Sequence, residues 1–514
     1  MKRLTIAFIV LLVLVGLGLF GYRYGMQVAD QKLRSVLTRV EQRLPAGASL
    51  TYGSMAINPF SLGMTMENLA LVVPADGLGS GPAALNGSLT LRLDDISVAG
   101  VGLDLDAPSV EEITLGPGSV TDEGGKRITW AEIRLEGLDA AALRSGRPSS
   151  AEEALKLASF EGLEIEDLAV SLPAQLLPLP GDMPEGQSRL VWSDISVDGF
   201  ADGRSGTVRL SGGSGQTPIG EGQIRVIRLT SLDLLRLKEA AAMAKSATAN
   251  PMPFLQTFFR AMGRLDVQDL QIATPSGAIT LDGIVMEGSA QDRPDTPLDR
   301  LRVQVNHLKM PFALVPKAPQ EIVSALPTDV LDLSLLWTHN YDRQSGTFDI
   351  GPFAMLADNL GEMGFAMSLG GVRPFQGSPD QIAEELINAA TFRSMGAYYA
   401  DQGVMRSLAP QILARQNLSM DYLVSVVEGD FRTFLNELFG PELALSISRP
   451  MAAFMRKQDS LALDIVSHQP KRLMDMMLES SRSPTALIDG LSITVADGTP
   501  RPDYLTYPDI PRID

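Results

Sequence analysis

Apolar and polar residues alternate through the stretch Met64–Pro74, but the alternation changes phase in the middle. In a regular strand, Met64 and Met66 would point to one face, and Leu69, Leu71 and Val73 would point to the other. A strand places successive side chains on opposite faces, so a regular strand would direct half of these apolar side chains to the wrong face. The pattern predicts either a β-bulge or a tight corner at Glu67-Asn68, which keeps Met66 and Leu69 on one apolar side.

The same broken pattern recurs along the chain, at spacings of roughly one supersecondary unit. Asp, Asn, Gly or Ser stands at the hinge, where these residues tolerate unusual backbone angles. The further copies begin at Leu91, Ile133, Leu163, Leu190, Ile227, Leu265, Ile279 and, in weaker form, Val303. Two larger units, near 128–212 and 222–290, each read as strand, helix, strand, strand.

Repeated bulges would coil a long antiparallel sheet into a trough or towards a barrel. The alternative is a sandwich or helix-backed sheet whose apolar face is its filled core. The trough predicts an apolar-ligand site formed by one phase of the broken strands and an adjoining helix. The predicted residues are Met64, Met66, Leu69, Leu71, Leu163, Ile165, Leu168, Leu265, Val267, Leu270, Phe254 and Phe258.

The N-terminus predicts a membrane anchor, since Lys2 and Arg3 precede an uncharged stretch from Leu4 to Tyr22. At about 1.5 Å per residue this stretch nearly spans a bilayer core of about 30 Å. It is longer than the core of a secretory signal peptide, and no small-residue cleavage site follows closely. The residues predicted to hold the anchor in the membrane are Leu4, Phe8, Leu12 and Leu19. A cleaved signal peptide is the alternative.

After the anchor, apolar residues at three- and four-residue steps predict an amphipathic stem helix over 26–46. Lys2 and Arg3 favour a cytoplasmic N-terminus, although basic residues in the stem weaken the asymmetry. A large folded body after a single span is usually translocated. The expected location is the bacterial inner membrane, with one pass and the bulk of the chain in the periplasm.

The hydrophobic pattern changes near residue 375, beyond which helical periodicity predominates. "DQIAEELINAA", "GVMRSLAPQILARQ" and "SMDYLVSVVEGDFRTFLNELF" predict helices, the last with Ser419 as its N-cap. "SLALDIVSH" and "LSITVADG" predict strands that flank a methionine-rich helix. The final segment has four prolines and predicts an extended or disordered tail.

Composition narrows the possible functions. The formal net charge of -18 makes the chain a poor general ligand for nucleic acid or for anionic lipid surfaces. The absence of Cys excludes disulfides, thiolate metal sites and a Cys nucleophile. The three histidines, His307, His339 and His468, are far apart, and no nucleotide-binding or hydrolase motif occurs. The Gly-rich stretch from Ser211 lacks a phosphate-binding lysine and reads as a flexible loop. The sequence predicts no enzyme activity, no metal and no cofactor.

An anchor, an amphipathic stem and repeated "L-x-L-x-D-L-x-L" strands resemble the AsmA-like envelope proteins of Gram-negative bacteria and their uncharacterised periplasmic relatives. The resemblance rests on Leu4–Tyr22, the segment from Tyr52 to Pro74 and the broken strands to about residue 310. It implies a role in outer-membrane homeostasis and, for the long members of the group, the movement of phospholipid along an apolar β-groove. This chain is shorter than the long members of that group and contains inserted helices.

Together these features predict a β-rich α+β protein: an N-terminal transmembrane helix, a long twisted antiparallel sheet with bulged strands and covering helices, and an α-rich C-terminal region. The expected domains are 1–25, the anchor; 26–46, the stem; 47–375, a repetitive β-rich domain; 376–498, the α-rich region; and 499–514, the tail. The expected function is binding or shielding of lipid or another apolar ligand. The alternative is an anchored, non-catalytic scaffold for envelope proteins. The expected partners are the membrane, a lipid ligand and envelope proteins.

Overall fold

The computed structural model describes most of the chain from residue 47 onwards. The described residues are 47–58, 63–74, 88–101, 109–139, 153, 156–173, 187–217, 220–244, 257–289, 299–315, 326, 328–373, 379–483, 485, 488, 490–502, 510 and 512–513. The anchor and stem predicted at 1–46 lie outside them. Within these ranges, no helix combines the length and the apolar character needed to cross a membrane.

The chain divides into two compact units, residues 1–240 and 241–514. This division does not coincide with the boundary expected at residue 375, because strands on both sides of that residue belong to one ladder. Every strand pairing with a described register is antiparallel. The protein is therefore β-rich and antiparallel, as predicted.

Unit 1 is a meander in which strands that follow one another along the chain pair side by side. Its strands are β1 (Ser49–Thr51), β2 (Met55–Asn58), β3 (Gly63–Val73), β4 (Leu89–Val101), β5 (Ser109–Leu115), β6 (Gly118–Asp122), β7 (Arg127–Trp130), β8 (Glu132–Asp139), β9 (Ser159–Pro173), β10 (Gln187–Ala201), β11 (Arg204–Thr217) and β12 (Gly220–Asp233). At three places in the ladder, two short strands lie end to end beside one longer strand. β1 and β2 both pair with β3, β5 and β6 both pair with β4, and β7 and β8 both pair with β9. Helix α1 (Leu234–Ala244) follows β12.

Unit 2 is a second meander, in which each strand pairs with the next along the chain. Its strands are β13 (Met262–Thr274), β14 (Gly277–Ser289), β15 (Arg300–Pro311), β16 (Val330–Asp342), β17 (Thr347–Ala357), β18 (Gly361–Gly370), β19 (Thr391–Asp401), β20 (Ser460–Arg472) and β21 (Leu491–Asp497). Residues 257–261 are helical and lead directly into β13.

The C-terminal region is mixed rather than α-rich, which corrects the sequence-based expectation. Its helices are α2 (Pro379–Ala389), α3 (Val404–Arg415), α4 (Met420–Val426), α5 (Arg432–Phe439), α6 (Pro441–Lys457) and α7 (Leu473–Arg482), with a π-helical turn, Val427–Phe431, between α4 and α5. These helices are inserted between β18 and β21, which complete the ladder. Ser419 caps α4 as predicted, and its hydroxyl accepts a hydrogen bond from the Tyr422 backbone N–H at 3.1 Å.

Left-handed residues explain the broken strands. Asn68 has φ 54°, Asp167 φ 50°, Ser231 φ 59° and Asp269 φ 52°, and Gly137 is also left-handed at φ 61°. A single left-handed residue redirects the chain, so the alternation of side chains restarts one residue later. The hinge predicted from the sequence is confirmed at these five positions, and Met66 and Leu69 lie in the same buried core.

The left-handed residues form rows across unit 1. The first αL row contains Asn68, Asp167 and Gly212, and the residues opposite them on the intervening strands, such as Asp94 and Ser193, follow the same phase change. The second αL row contains Gly100, Gly137, Gly199 and Ser231, with Glu111, Glu161 and Gly206 opposite them on the intervening strands. One left-handed residue in every second strand is sufficient to maintain a row, because the strand beside it changes its side-chain alternation at the residue directly opposite.

The described strand pairings of unit 1 contain no bulge, contrary to the expectation. Glu67 lies opposite Asp95 and Leu69 lies opposite Leu93, so one residue intervenes on each strand and neither has an extra residue. Register shifts do occur in unit 2, in every pairing from β15–β16 to β19–β20. Asp95, Asp194 and Gly283 were also predicted as hinges, but none of them has a left-handed φ. Each lies on a strand whose neighbour carries the left-handed residue instead.

The Gly-rich stretch from Ser211 is a strand rather than a flexible loop. Residues Ser211–Thr217 belong to β11, and Gly213 lies beside Trp192 and Ile224 on the neighbouring strands. A Cβ on Gly213 would collide with both of those side chains. The large neighbours fill the space that glycine leaves, which gives a side-chain-poor strand its packing.

Candidate apolar binding face

A continuous apolar row crosses all nine strands of unit 2. Residues directly opposite in an antiparallel pair share a face of the sheet. From β13 to β21 the row reads Leu265, Met286, Val303, Trp337, Phe353, Phe365, Ala397, Leu463 and Val495. No member is charged or polar.

A second row lies beside the first, two residues further along each strand. It reads Val267, Ile284, Val305, Leu335, Met355, Met363, Tyr399 and Leu461, and it ends at Asp497 on β21. The two rows together are called the apolar face. With strands about 4.8 Å apart, the rows run for about 38 Å across the sheet.

This apolar face is not packed like a core. Trp337 is 41% exposed and Met363 is 43% exposed, and the other members of both rows are half-buried. Buried core side chains in this chain are far less exposed, as Met66 at 0% illustrates. Large apolar side chains that stay open to water over several strands mark a binding surface more often than a defect of packing.

The opposite face of β13–β15 is polar, yet it is buried. Asp266 and Gln304 are 0% exposed and Gln268 is 3% exposed. Arg264 Nη2 lies 2.7 Å from Asp266 Oδ1, and Gln304 Nε2 donates to Asn306 Oδ1 at 3.0 Å. Charged and amide groups leave water only when such partners are present, so burial here is inverted relative to an ordinary amphipathic sheet.

The C-terminal tail accounts for part of this inverted burial. The backbone N–H of Ile513 donates to Gln268 Oε1 at 3.1 Å, and Ile510 packs over Gly283. Nearer to β21, Ser460 Oγ donates to the Thr499 carbonyl at 2.8 Å. The tail was expected to be extended or disordered. Its described residues belong to no helix or strand and pack against this side of the sheet, with Ile513 itself buried.

An ion pair joins the tail to β18. Arg501 Nε lies 2.7 Å from Glu362 Oε1, and Glu362 is buried. Burial raises the pKa of the Glu362 carboxyl above its ordinary value, and the Arg501 guanidinium offsets part of that rise. A carboxyl with a raised pKa binds its proton more tightly in the folded state than in the unfolded state.

Acidification should therefore stabilise unit 2 through Glu362. We expect the free energy of unfolding to increase as the pH falls from neutral through the raised pKa of this carboxyl, because the folded state then takes up a proton. Glu362→Gln should remove this gain, and Arg501→Ala should move it to higher pH. Pulse proteolysis in urea at several pH values, with cleavage mapped to residues 241–514, measures the effect. Identical pH profiles for Glu362→Gln and the unaltered chain would contradict it.

Aromatic side chains flank the apolar face at both ends. At the β13–β15 end, Phe259 is buried against Met286, Leu301 and Val303. At the β19–β21 end, Phe454 of α6 meets Tyr399 edge to face, with ring centroids 5.8 Å apart. The open centre of the face lies between these two contacts.

The flanking Tyr399 is held by a further polar contact. Its hydroxyl donates to Asp401 Oδ1 at 3.1 Å, and burial together with this carboxylate raises the pKa of the Tyr399 hydroxyl well above its ordinary value. The hydroxyl therefore stays neutral over the physiological range.

The predicted ligand residues of unit 1 are core residues instead. Met64, Met66, Leu69 and Leu71 are buried in one cluster with side chains of β4, β5, β7 and β8. Leu163, Ile165 and Leu168 are half-buried against the same cluster. In this part of the chain the filled-core alternative is the correct one.

The predicted ligand residues of unit 2 do not lie in a filled core of this kind. Leu265 and Val267 lie on the apolar face, and Leu270 is half-buried further along β13. Phe258 is half-buried with its ring 5.8 Å from that of Phe259, and Phe254 lies outside the described residues. Sequence reasoning missed the centre of the face, Trp337 and Met363, because the broken pattern was followed only to Met310.

The described polar side chains were compared with the ligand sets that metal ions need. Within the described ranges no three His, Asp or Glu side chains come together as metal ligands. His307 Nδ1 lies 3.1 Å from Asp332 Oδ1, and Lys309 Nζ lies 3.4 Å from Asp332 Oδ2. These are exposed pairs on the rim of the sheet. The absence of enzyme activity stays a prediction.

Comparison with known proteins adds one partial match. A family model described as "Uncharacterized protein" matches residues 354–497, which run from β17 to the end of β21. No curated protein and no solved structure matches the chain. The resemblance to AsmA-like proteins stays a prediction, since the matched family is uncharacterised.

Proposed function

We propose that this protein binds lipid, or another molecule with long apolar chains, on the apolar face of unit 2. One observation carries the proposal: the apolar face is half-exposed, whereas the face behind it is buried. Behind β13–β15 the buried groups are polar, and behind β16–β20 they are the cluster of Leu336, Ala354, Tyr398 and Ala462. An apolar surface gains about 25 cal/mol per Å² when it is covered, so a face left open across several strands is suited to a ligand that covers it.

The chemistry of the face favours hydrocarbon over a polar ligand. Its two rows contain one acid, Asp497, at the far end, and one hydroxyl, that of Tyr399. Methionine and aromatic side chains at the centre adapt to flexible chains of variable shape. A bilayer core of about 30 Å holds two leaflets, so one extended acyl chain is about 15 Å long. The rows run for about 38 Å, and their open centre lies between the ends that Phe259 and Phe454 contact.

The location and anchoring proposed here rest on the sequence. An apolar stretch at Leu4–Tyr22 and a translocated body would place the face in the periplasm, near the membrane that supplies the lipid. The protein acts in this proposal without catalysis, as a carrier or shield for apolar chains that supports the cell envelope.

Photo-crosslinking in a Gram-negative bacterium tests the proposal on the full chain. A photoreactive phenylalanine analogue at Met363 should yield adducts with radiolabelled phospholipid, because this side chain lies at the open centre of the apolar face. The control position is Val466 of β20, which is 46% exposed but lies on the other face. Met363 and Val466 have matched exposure, so a difference between them reports the face and not the accessibility.

Three outcomes are informative. Lipid adducts at Met363 and few at Val466 would support the proposal. Equal lipid adducts at both would indicate mere proximity to the membrane and contradict it. Protein adducts at Met363 without lipid would favour the alternative, an anchored scaffold for envelope proteins.

A further inference from the structure

Helix α7 presents apolar side chains to solvent at one end of the ladder in unit 2. Met474, Met477 and Leu478 share one side of this helix, because residues three and four apart are neighbours on a helix surface. Met477 is 56% exposed and Leu478 is 48% exposed, while Met474 is half-buried. None of the three belongs to the two rows of the apolar face, so lipid binding on that face leaves their exposure unexplained.

The inward side of α7 joins the apolar face. Leu473 and Met476 pack against a cluster that also contains Met367, Met395 and Ile465. The last three lie opposite one another on β18, β19 and β20, two residues along each strand from the first row of the apolar face. They are half-buried and point to the same side of the sheet as that row. An apolar surface therefore runs from α7 onto the face.

Two contacts hold α7 at the end of the ladder. The Leu473 N–H donates to the Ala390 carbonyl, at the end of α2, at 2.9 Å. Lys471 Nζ on β20 donates to Glu479 Oε2 on α7 at 2.8 Å. The helix is tied at both of its turns, so its exposed apolar side keeps a fixed direction relative to the strands.

Arginine side chains surround this end of the ladder. Gly370 lies opposite Thr391, and Thr391 lies opposite Arg472, so β18 ends, β19 begins and β20 ends at one level. Around these strand ends and the helices α2 and α7, the exposed arginines are Arg373, Arg393, Arg472 and Arg482. The carboxylates described as exposed there are fewer, Glu384 and Asp475. In a chain with a net charge of -18, this end is locally basic.

Apolar side chains exposed at the opposite end of these strands have acidic neighbours. Phe434 on α5 is 54% exposed, and Asp430 and Glu437 on either side of it along the chain are exposed carboxylates. The surface of an anionic bilayer attracts arginine and repels carboxylate. Charge therefore distinguishes the α7 end from the α5 end as a surface for lipid.

We propose that α7 lies against a bilayer that contains anionic lipid, and that acyl chains pass from this bilayer onto the apolar face at the α7 end. The inference rests on the proposed function and adds the route by which the ligand arrives. Met477 and Leu478 enter the boundary between headgroups and acyl chains, as the apolar side of an interfacial helix does. The arginines around them extend to the phosphates.

The length of an acyl chain fits this route. Met367 lies four residues from Met363 on β18, which is about 14 Å in an extended strand. One extended acyl chain of about 15 Å can therefore reach the open centre of the apolar face while its headgroup stays at the α7 end.

Spin labelling of the full chain tests the bilayer contact. The chain has no Cys, so Met477→Cys and Phe434→Cys each provide one site for a nitroxide label. The two side chains have matched exposure, 56% and 54%, and both variants keep the same N-terminal segment, so tethering to a vesicle affects them equally. The chain is reconstituted in vesicles of phosphatidylcholine and phosphatidylglycerol. Electron paramagnetic resonance then measures collisions of each label with oxygen and with a water-soluble nickel chelate.

The label at position 477 should collide preferentially with oxygen, which concentrates in hydrocarbon, and the label at position 434 with the nickel chelate. Arg472→Gln combined with Arg482→Gln should shift the label at position 477 towards the chelate, because two contacts with anionic headgroups are lost. Equal preference for the chelate at both positions would overturn the proposal. A label at position 477 that is shielded from both reagents would also overturn it, since that result indicates a protein partner on α7.

The route is tested separately, with the photoreactive phenylalanine analogue at Met363. Leu478→Asp should lower the yield of phospholipid adducts at least about tenfold, because a carboxylate replaces an apolar side chain that enters the bilayer. Phe434→Asp is the matched control and should leave the yield unchanged, with folding of both variants checked by circular dichroism. An unchanged yield in Leu478→Asp would refute the route and leave the proposed function intact. No adducts in the unaltered background would refute the proposed function, whatever the label at position 477 contacts.

Discussion

Met66→Ala should lower the free energy of unfolding of unit 1 by about 3 kcal/mol, whereas Met363→Ala should change that of unit 2 by less than about 1 kcal/mol. Met66 is 0% exposed inside the core cluster, so its truncation leaves a cavity. Met363 is 43% exposed and already contacts water. Because the two substitutions remove the same side chain, the difference measures how far each apolar face is filled.

Pulse proteolysis in urea provides the measurement, with cleavage mapped to residues 1–240 for Met66→Ala and to 241–514 for Met363→Ala. A loss of about 3 kcal/mol for Met363→Ala as well would mean that the apolar face of unit 2 is a core in solution. Its role as a ligand surface would then be refuted.

Asn68→Val should destabilise unit 1 by about 2 kcal/mol, because a β-branched residue is strained at the left-handed φ that this position requires. Asn68→Gly should stay within about 0.5 kcal/mol of the unaltered chain, since glycine adopts this φ freely. The pair isolates backbone conformation from side-chain loss, because Gly removes more atoms than Val but should cost less.

The same comparison can be repeated at a position outside the αL rows. Ser97 lies on β4 opposite Thr65 and Thr114, in regular extended backbone. There the order should reverse: Ser97→Val should be tolerated better than Ser97→Gly, since strands favour β-branched residues. If Val and Gly rank in the same order at Asn68 and Ser97, the left-handed hinge does not set the phase of the strand.

The alternation of apolar and polar residues was enough to predict the phase change, but not the backbone conformation that produces it. Met66 and Leu69 could be assigned to one side because both are apolar and three residues apart. A bulge and a left-handed residue give the same alternation on a single strand, so the sequence could not choose between them. The difference appears only across two strands, where Glu67 opposite Asp95 and Leu69 opposite Leu93 show an unshifted register.

Burial was the property that the sequence left undetermined. Leu69 and Leu270 stand at corresponding places in two copies of one pattern, yet Leu69 is buried in a filled core and Leu270 is half-buried. What covers a sheet comes from elsewhere in the chain. The tail residues Ile510 and Ile513 have no pattern that would assign them to β13 and β14, more than two hundred residues earlier.

The order of synthesis gives the tail a second consequence. The described tail residues, 498–502, 510, 512 and 513, follow β21, so they emerge after all nine strands of the ladder. Until then, the ladder lacks the contacts that Thr499 makes with Ser460, Arg501 with Glu362 and Ile513 with Gln268. A nascent chain of unit 2 would therefore complete its ladder before the tail can contact Gln268 and Glu362. Formation of the last strand and completion of the native state would be separate events.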